Sequence, residues 1–280
     1  MRILIASNES RHAGLAVEYG LMLAKKTKAE LSLVHVVKRM QDRARGKAYL
    51  LNQQATFKEI GQEGQFLLRV GLPAEQIIHL AYEGQYDLIV VGEGSRESLL
   101  RRLLAPTNER VIANAPCPVL IVKGKRSGID NFLVCHSGQE GLATLERFIK
   151  HARKLIQPKA AVTLLHVMSQ IGANYRVRDW ELRAEAEELI QEHTLEGEWL
   201  AETLAALEKA TRVKAVPKVR HGLVVDEILK ETRQGDYDIV ILGAHRRGGW
   251  TDILMDDIAK QIIAQVDRPV LVVHGGQNPN

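Results

Sequence analysis

Basic side chains form two groups whose composition suits an anion. Residues 245–247 (His-Arg-Arg) could form a small cationic cluster with His136, or they could be an ordinary solvated loop. Arg96, Arg101 and Arg102 form a basic patch that would suit a phosphate-rich partner. Because only 5% of the residues are aromatic and no nucleic-acid module pattern is present, we do not expect a nucleic acid as partner.

Residue types that often carry catalysis lack the spacing that catalysis needs. Cys117 precedes a proline at the entry to an apolar run and Cys135 lies inside one, so both are expected to be packed thiols. His35 and His166 also lie in apolar runs, where we expect buried, hydrogen-bonded rings rather than ligands. The sequence has no His-Glu-x-x-His, intact Walker loop or Gly-x-Ser-x-Gly. We therefore expect no catalytic residues, no metal site and no enzymatic activity.

Length and composition fit two globular domains. The chain has 280 residues, of which 45% are hydrophobic and 26% charged, a balance that excludes a disordered chain. No apolar run approaches the roughly 20 residues that span a bilayer, and the first apolar run reaches polar residues at once. Two cysteines make no disulfide framework. We expect a cytoplasmic protein with neither a secretory signal nor membrane insertion.

Charge is unevenly distributed along the sequence. Residues 1–126 hold 19 Lys and Arg against 12 Asp and Glu, whereas residues 127–280 hold 19 against 22. The basic half could indicate an anionic partner, or it could reflect opposite faces packing together or ordinary solvated surface.

Four blocks of sequence occur twice in the same order, which indicates a duplicated domain. The offset is 131 between His35 and His166 but 151 between Gly92 and Gly243, so the second copy has about 20 more residues between its second and third strands. We predict two domains, 1–126 and 127–280. The matching blocks are 2–10 and 131–139, 31–37 and 162–168, 69–92 and 219–243, and 115–122 and 266–273.

Each copy alternates short apolar runs with helical stretches. Near-continuous apolar strands separated by helices are typical of a parallel sheet covered on both faces. The predicted fold class is α/β, with two tandem doubly wound five-stranded parallel sheets. In the first copy the predicted strands are Arg2–Ala6, Leu31–Val37, Gln65–Val70, Asp87–Val91 and Pro118–Val122, and the predicted helices include His12–Lys26 and Pro73–Tyr82.

The blocks resemble the universal stress protein family. The resemblance is carried by 87–92 (DLIVVG) with 114–122 (NAPCPVLIV), and by 238–243 (DIVILG) with 268–273 (RPVLVV). It covers nearly the whole chain as a tandem pair. It implies an adenine-nucleotide-hydrolase-like strand order 3-2-1-4-5 in each half. It also implies an adenine-nucleotide site beside the first and fourth strands, with phosphates on a glycine loop and the next helix N-terminus.

The resemblance also implies which residues would contact a nucleotide. Asn8 and Ser137 stand where the family has an Asp that contacts adenine. The first loop begins at Gly92 and has Ser95 as the counterpart of the family's second glycine, and the second loop begins at Gly243. The candidate cofactor-binding residues are Asn8, Val36, Gly92, Ser95, Thr107, Ser137, Val167, Gly243, Arg247 and Gly248.

Both loops depart from the family's closing Gly-Ser/Thr pair. Pro106, in the first, has no N–H for a phosphate but suits the first position of a helix. Asp256 and Asp257, in the second, would cap a helix and repel a phosphate. Arg246, in place of the second glycine, either fills the pocket or meets an anion. We predict that tight ATP binding is absent from both halves, that no cofactor is required, and that any ATP binding is weak.

Two functions follow as expectations. The first is a non-enzymatic tandem universal stress protein, a stress-response binding or regulatory module with degenerate ATP loops. The alternative is an adenine-nucleotide-binding protein with slow hydrolysis that uses one of the two switch-point pockets. A ligase or adenylyl-transfer enzyme would need an intact phosphate loop and a substrate domain, and neither is visible.

Partners are expected to be a protein or a small molecule. Because members of the resembled family pair through their last strands, residues 119–122 and 270–273 should form an intrachain pseudo-dimer. An acidic insertion, about 172–210, is predicted as a long helix or helix pair and is a candidate partner or dimer surface, so a homo-oligomer is possible. Its predicted apolar stripe is Trp199, Leu200, Leu204 and Leu207.

Overall fold

The chain divides into two compact units in a computed structural model. The described residues are 1–9, 11–93, 106–124, 128–138, 141–169, 178, 180–247, 254–255 and 257–275. Unit 1 comprises Met1–Lys125 with Gly248–Met255, and unit 2 comprises Arg126–Arg247 with Asp256–Asn280. Within the described ranges, no helix has the length and hydropathy needed to cross a membrane.

Unit 1 contains a five-stranded parallel sheet with strand order β3-β2-β1-β4-β5. Helix α1 packs on β1 and β4, and α2 packs on β2 and β3. The elements are β1 (Arg2–Ser7), α1 (Arg11–Thr27), β2 (Glu30–Val37), a 3₁₀ turn (Met40–Asp42), α2 (Arg43–Glu59), β3 (Gln65–Val70), α3 (Pro73–Glu83), β4 (Leu88–Gly92), α4 (Pro106–Asn114) and β5 (Val119–Val122).

Unit 2 repeats the arrangement with strand order β8-β7-β6-β9-β11, again all parallel. The elements are β6 (Asn131–His136), α5 (Gly141–Ala152), a 3₁₀ turn (Arg153–Leu155), β7 (Ala161–Met168), α6 (Ala186–Gln191), α7 (Leu195–Thr211), β8 (Ala215–His221), α8 (Val224–Gln234), β9 (Ile239–Arg247), α9 (Asp257–Gln265) and β11 (Val270–Gly275), with the two-residue β10 (Leu254–Met255) counted in unit 1.

Corresponding strands pair in the same register in the two units, which confirms the tandem doubly wound fold and the order 3-2-1-4-5. The shared register arises because the apolar blocks on which the repeat was recognised are the strands that form the buried centre of each sheet. The corresponding pairs include Ile3 with Leu88 and Phe132 with Ile239, Ser32 with Gln65 and Thr163 with Val216, and Ile89 with Val119 and Val240 with Val270.

The additional length of the second copy lies before α7. Helices α2 and α7 each have 17 residues and pack on the second and third strands of their units. Only residues 38–42 separate β2 from α2, whereas 169–194 separate β7 from α7. The predicted 172–210 segment does contain a helix pair, but its longer helix is the counterpart of α2 and not an insertion. This corrects the predicted insertion bounds.

Helix α7 begins where it does because its first turn is capped and approaches α6 closely. The Gly197 N–H donates to Thr194 Oγ1 at 3.1 Å, which satisfies one of the amide groups left free at a helix start. A Cβ at Gly197 would lie 2.0 Å from the Leu189 carbonyl oxygen, so only glycine fits at this approach. Of the predicted apolar stripe, Leu200 and Leu207 are fully buried.

A buried ion network distinguishes unit 2 from unit 1. The Glu231 carboxylate, on α8, is 1% exposed and accepts from Lys218 at 2.8 Å and from Arg220 at 2.6 Å. The Tyr237 hydroxyl also donates to it, at 2.6 Å. These hydrogen bonds hold the pKa of Glu231 below its ordinary value although burial opposes that shift. At an offset of 151, Leu80 stands where unit 2 has Glu231.

Candidate functional site

The carboxyl end of β1 in unit 1 is tied to α2 and β2 by polar contacts. The hydroxyls of Ser7 and Tyr49 are 2.5 Å apart, and the His35 Nδ1–H donates to the Ser7 carbonyl at 3.0 Å. The His35 and Tyr49 rings lie 4.7 Å apart. Burial raises the pKa of Tyr49. His35 is therefore a buried, hydrogen-bonded residue, as predicted, and the contact of Tyr49 with Ser7 was not foreseen.

Asn8 and Val36, two predicted cofactor-binding residues, lie at this same edge. Asn8 is exposed directly after β1, and Val36 is half-buried near the end of β2. Beside them, Arg45 of α2 forms a two-oxygen ion pair with Glu9, with Nε–Oε1 at 2.8 Å. The hydrogen bond from Arg45 lowers the pKa of Glu9.

At the end of β4, helix α4 is fastened to the last carbonyl of the strand. The Asn108 Nδ2–H donates to the Gly92 carbonyl at 2.9 Å, and Asn108 is buried. Helix α4 begins at Pro106, as predicted, and Thr107 is half-buried in its first turn. The structure thus brings Gly92 and Thr107 to one region, while Ser95 lies outside the described residues.

A buried lysine lies beside this region. The Lys123 side chain is 3% exposed, follows β5, and forms an ion pair with Glu93 at 3.3 Å. The Glu93 N–H donates to the Val122 carbonyl at 3.0 Å. This ion pair joins the carboxyl ends of β4 and β5 and leaves Lys123 neutralised within the protein.

In unit 2, His136 occupies the carboxyl end of β6. The Gly138 N–H donates to its Nδ1 at 3.2 Å, so Nδ1 is an acceptor and the ring proton is on Nε2. That Nε2–H donates to Thr203 Oγ1 of α7 at 3.0 Å. Burial, together with the His166 ring 5.6 Å away, lowers the pKa of His136 to about 4. Both ring nitrogens are engaged, so the ring is a neutral structural group.

His166 repeats the role of His35. Its Nδ1–H donates to the His136 carbonyl at 3.4 Å, and burial lowers its pKa. The prediction of buried, hydrogen-bonded histidines is confirmed at both positions. The proposed cationic cluster of His136 with residues 245–247 is not supported on the His136 side, because that ring is neutral; the side chains of 245–247 lie outside the described part of the chain.

A small cavity adjoins the His136 ring. Its volume is about 10 Å³, which is close to the space one water molecule needs. Gly141, Thr144 and Thr203 contribute to its lining. Thr144 Oγ1 is buried there and has no hydrogen-bond partner within the residues that the structure describes. A Cβ at Gly141 would lie 2.4 Å from the His136 ring, so the ring fills the space at the start of α5.

The predicted glycine loop of unit 2 is wrong for residues 243–247, because β9 continues through them to Arg247. Gly243 pairs with Val273 of β11, and Ala244 pairs with His274. Pairing with a neighbouring strand satisfies backbone groups that a phosphate loop leaves free, and this contact between distant segments overrides the local glycine signal. A Cβ at Gly243 would also lie 2.8 Å from Thr144 Oγ1.

The remaining predicted residues of unit 2 are placed as follows. Ser137 is exposed directly after β6, and Val167 is half-buried in β7. Arg247 ends β9, and Gly248 lies outside the described residues. Helix α9 begins at Asp257, which is exposed, and Asp256 lies outside the described residues.

Neither cysteine has the surroundings of a nucleophile. Burial raises the pKa of both Cys117 and Cys135, which keeps the thiols protonated. Among the described residues, no three His, Cys, Asp or Glu side chains are arranged to hold a metal ion.

Comparison with known proteins gives matches along nearly the whole chain. The family model of the universal stress protein family matches residues 1–123 and 128–274. Universal stress protein MJ0531 of Methanocaldococcus jannaschii is 49% identical over 53 residues, 19% of this chain and 31% of that protein. A universal stress protein of Mycolicibacterium smegmatis is 27% identical over 191 residues, 67% of this chain and 61% of that protein. The matches thus span less than two thirds of the length of either relative.

Two solved structures resemble the chain over almost all of its length. The crystal structure of a universal stress protein from Archaeoglobus fulgidus has a TM-score of 0.66 at 16% identity and covers 98% of both chains. The crystal structure of PA1789 from Pseudomonas aeruginosa PAO1 has a TM-score of 0.70 at 18% identity, and covers 98% of this chain and 92% of that one. At these identities the likeness concerns the fold.

Proposed function

This chain belongs to the universal stress protein family, and on that premise we propose that it is a non-enzymatic, stress-response binding and regulatory protein with degenerate nucleotide pockets. The observation that carries the proposal is the hydrogen bond between His136 and Thr203. His136 directly precedes Ser137, the residue that the resemblance to the family places in contact with adenine. Protein side chains thus satisfy each other at an edge where a nucleotide would otherwise bind.

The course of β9 supports the proposal that unit 2 also lacks a site for the phosphates of a nucleotide. Ala244 and His245 pair with His274 and Gly275 of β11, so the backbone after Gly243 continues as a strand and is not a free loop. Asp257 lies in the first turn of α9, where a carboxylate interacts favourably with the helix dipole in the way a phosphate would. A phosphate at this helix start would face a like charge.

Unit 1 favours the second candidate function, adenine-nucleotide binding with slow hydrolysis. Here β4 ends at Gly92, and the buried Asn108 holds the first turn of α4 against it. The arrangement of strand end and helix start that suits a phosphate is therefore present. Pro106, the first helical residue, lacks the N–H that would donate to a phosphate. We propose that any nucleotide binding by this chain is weak and resides in unit 1.

Isothermal titration of the full chain with Mg²⁺ and ATP tests this proposal. We expect a Kd weaker than about 100 μM for the wild type. In unit 1, Ala105 and Pro106 stand where the family has its closing Gly-Ser/Thr pair. The substitutions A105G and P106S together restore that pair and should tighten binding at least about tenfold, because an amide donor and a hydroxyl return at residue 106. The matched pair D256G and D257S in unit 2 should not, because β9 still continues as a strand through residues 243–247. Sub-micromolar binding by the wild type, or an equal gain from both pairs, would overturn the proposal.

A co-purified nucleotide is a second and inexpensive check. The ultraviolet spectrum of the purified chain should lack an adenine contribution, and tightly held nucleotide released on denaturation would contradict weak binding. The intrachain pairing of residues 119–122 with 270–273, a protein partner and the cytoplasmic location stay predictions from the sequence.

A further inference from the structure

Unit 1 carries an exposed basic surface at the carboxyl edge of its sheet. Lys38 and Arg39 directly follow β2, and Arg43 and Lys47 lie four residues apart on α2. We call these four residues the basic surface. All four are exposed, and none forms an ion pair with another residue in the described ranges of the chain. Nearby Arg45 is already neutralised by Glu9.

Unit 2 carries an exposed acidic surface on α7, the counterpart of α2, and on the α6 segment that precedes it. Glu187 lies on α6, Glu192 directly follows it, and Glu198 and Glu202 lie four residues apart on α7. We call these four residues the acidic surface. They too are exposed and have no ion-pair partner among the residues that the structure describes. Because α7 is the counterpart of α2, the helical parts of the two surfaces correspond and have opposite charge, whereas Glu187 and Glu192 lie in the additional length of the second copy.

Like charges repel one another within each surface, although Glu198 lies in the first turn of α7, where a carboxylate favours the helix dipole. Arg43 and Lys47 are like charges at i and i+4, as are Glu198 and Glu202, and such pairs destabilise a helix. The first turn of α2 contains no acidic residue and begins with Arg43, a cation at the positive end of the helix dipole. An opposite charge from outside the unit would offset these repulsions.

An exposed leucine side chain lies next to each of the two charged surfaces. Leu51, four residues after Lys47 on α2, is 55% exposed, and Leu195, three residues before Glu198 on α7, is 57% exposed. Side chains at these spacings lie on the same side of a helix. Each surface therefore combines several like charges with an exposed leucine, which gives it apolar as well as electrostatic complementarity to the other.

We propose that the basic surface of one copy of this chain binds the acidic surface of another copy, α2 against α6 and α7. A second copy is the partner that the charges favour, because every chain carries both surfaces in equal number. Duplication permits this arrangement, since the two corresponding helices can diverge to opposite charge within one sequence. The proposal is independent of nucleotide binding and stands whether or not ATP binds.

Sedimentation velocity of the full chain tests the proposal through salt dependence and charge reversal. The wild type should self-associate at about 50 mM salt and dissociate at about 500 mM, because exposed charges are screened. R43E/K47E makes α2 acidic, and E198K/E202K makes α7 basic. Each variant alone should associate at least about tenfold more weakly than the wild type.

Mixing the two variants is the decisive measurement. In the equimolar mixture the acidic α2 of one variant meets the basic α7 of the other, and the basic α2 meets the acidic α7, so association should return. K25E/K150E, which reverses two exposed lysines on other helices, is the matched control and should behave as the wild type. A wild type that stays monomeric at low salt, or a mixture that fails to associate, would overturn the proposal.

Discussion

Nε2 of His136 lies 3.0 Å from Oγ1 of Thr203, and this hydrogen bond joins the end of β6 to the middle of α7. The corresponding contact in unit 1 joins Ser7 of β1 to Tyr49 of α2. In each unit, the first strand is thus hydrogen-bonded to the helix that precedes the third strand, but the two units use different pairs of polar side chains.

Replacing Thr203 with Val should destabilise the chain by about 1–3 kcal/mol. The shape of the side chain is nearly retained, but the buried Nε2–H of His136 loses its acceptor. Chemical denaturation monitored by circular dichroism would measure the change. T56V, at an exposed threonine of α2, is the control and should lie within about 0.5 kcal/mol of the wild type. Equal effects of T203V and T56V would contradict the role assigned to His136.

Stability should fall in acid as His136 is forced to take a proton. The pKa is about 4 in the folded chain and 6.5 when unperturbed, so between these values the unfolded state binds more protons. The free energy of unfolding should therefore decrease as the pH falls from 6.5 to 4, by roughly 3 kcal/mol. H136Q should flatten the pH profile in this range. An unchanged slope in H136Q would assign the titration to another group.

Replacing Glu231 with Gln should cost about 3–5 kcal/mol, because Lys218 and Arg220 would lose a buried partner charge. E208Q, at an exposed glutamate of α7, is the control. Because the pKa of Glu231 is lowered in the folded state, its contribution is present above the ordinary value of 4.5 and is lost as the pH falls through the folded pKa. The penalty of E231Q should accordingly shrink in acid.

Two glycine-to-alanine substitutions should change the free energy of unfolding in opposite directions. Gly141→Ala should destabilise by about 1–3 kcal/mol, because the new methyl group would overlap the His136 ring. Gly14→Ala, in an exposed and open part of α1, should stabilise by about 0.5–1 kcal/mol through helix propensity. Thermal unfolding of both variants measures the difference, and equal signs would contradict the packing of His136 against α5.

Asn108→Ala should free the first turn of α4 from β4. The Gly92 carbonyl would lose the Asn108 donor, at a cost of about 1–2 kcal/mol. Amide hydrogen exchange should accelerate in residues 107–111 and stay unchanged in α9, whose corresponding residue is already Ala259. Unchanged protection of α4 would show that the side chain does not hold this turn.

Strands and the repeat could be predicted because the information is local. The runs Leu88–Val91 and Val119–Val122 are apolar throughout and fully buried, so the sequence pattern alone identifies them as central parallel strands. His35 and His166 could be predicted as buried, hydrogen-bonded residues for a similar reason, since a polar side chain within a buried strand needs a hydrogen-bond partner.

Other features depend on contacts between distant residues. Helix α2 was not predicted because only Gly46, Leu50 and Phe57 are buried among its 17 residues, so it has no continuous apolar stripe. The continuation of β9 past Gly243 depends on β11, which lies about thirty residues later in the sequence. Neither the packing of α2 nor the pairing of β9 with β11 leaves a signal in a short window of sequence.

Identical strand registers make the molecule its own reference. A backbone amide in β4 and the one 151 residues later in β9 occupy the same place in equivalent ladders, in one sample and at one temperature. Any difference in their opening free energies therefore reports differences between the two units themselves, with no correction for buffer, concentration or preparation. Leu80 and Glu231 occupy corresponding positions, so the effect of exchanging leucine for glutamate can be compared within one polypeptide.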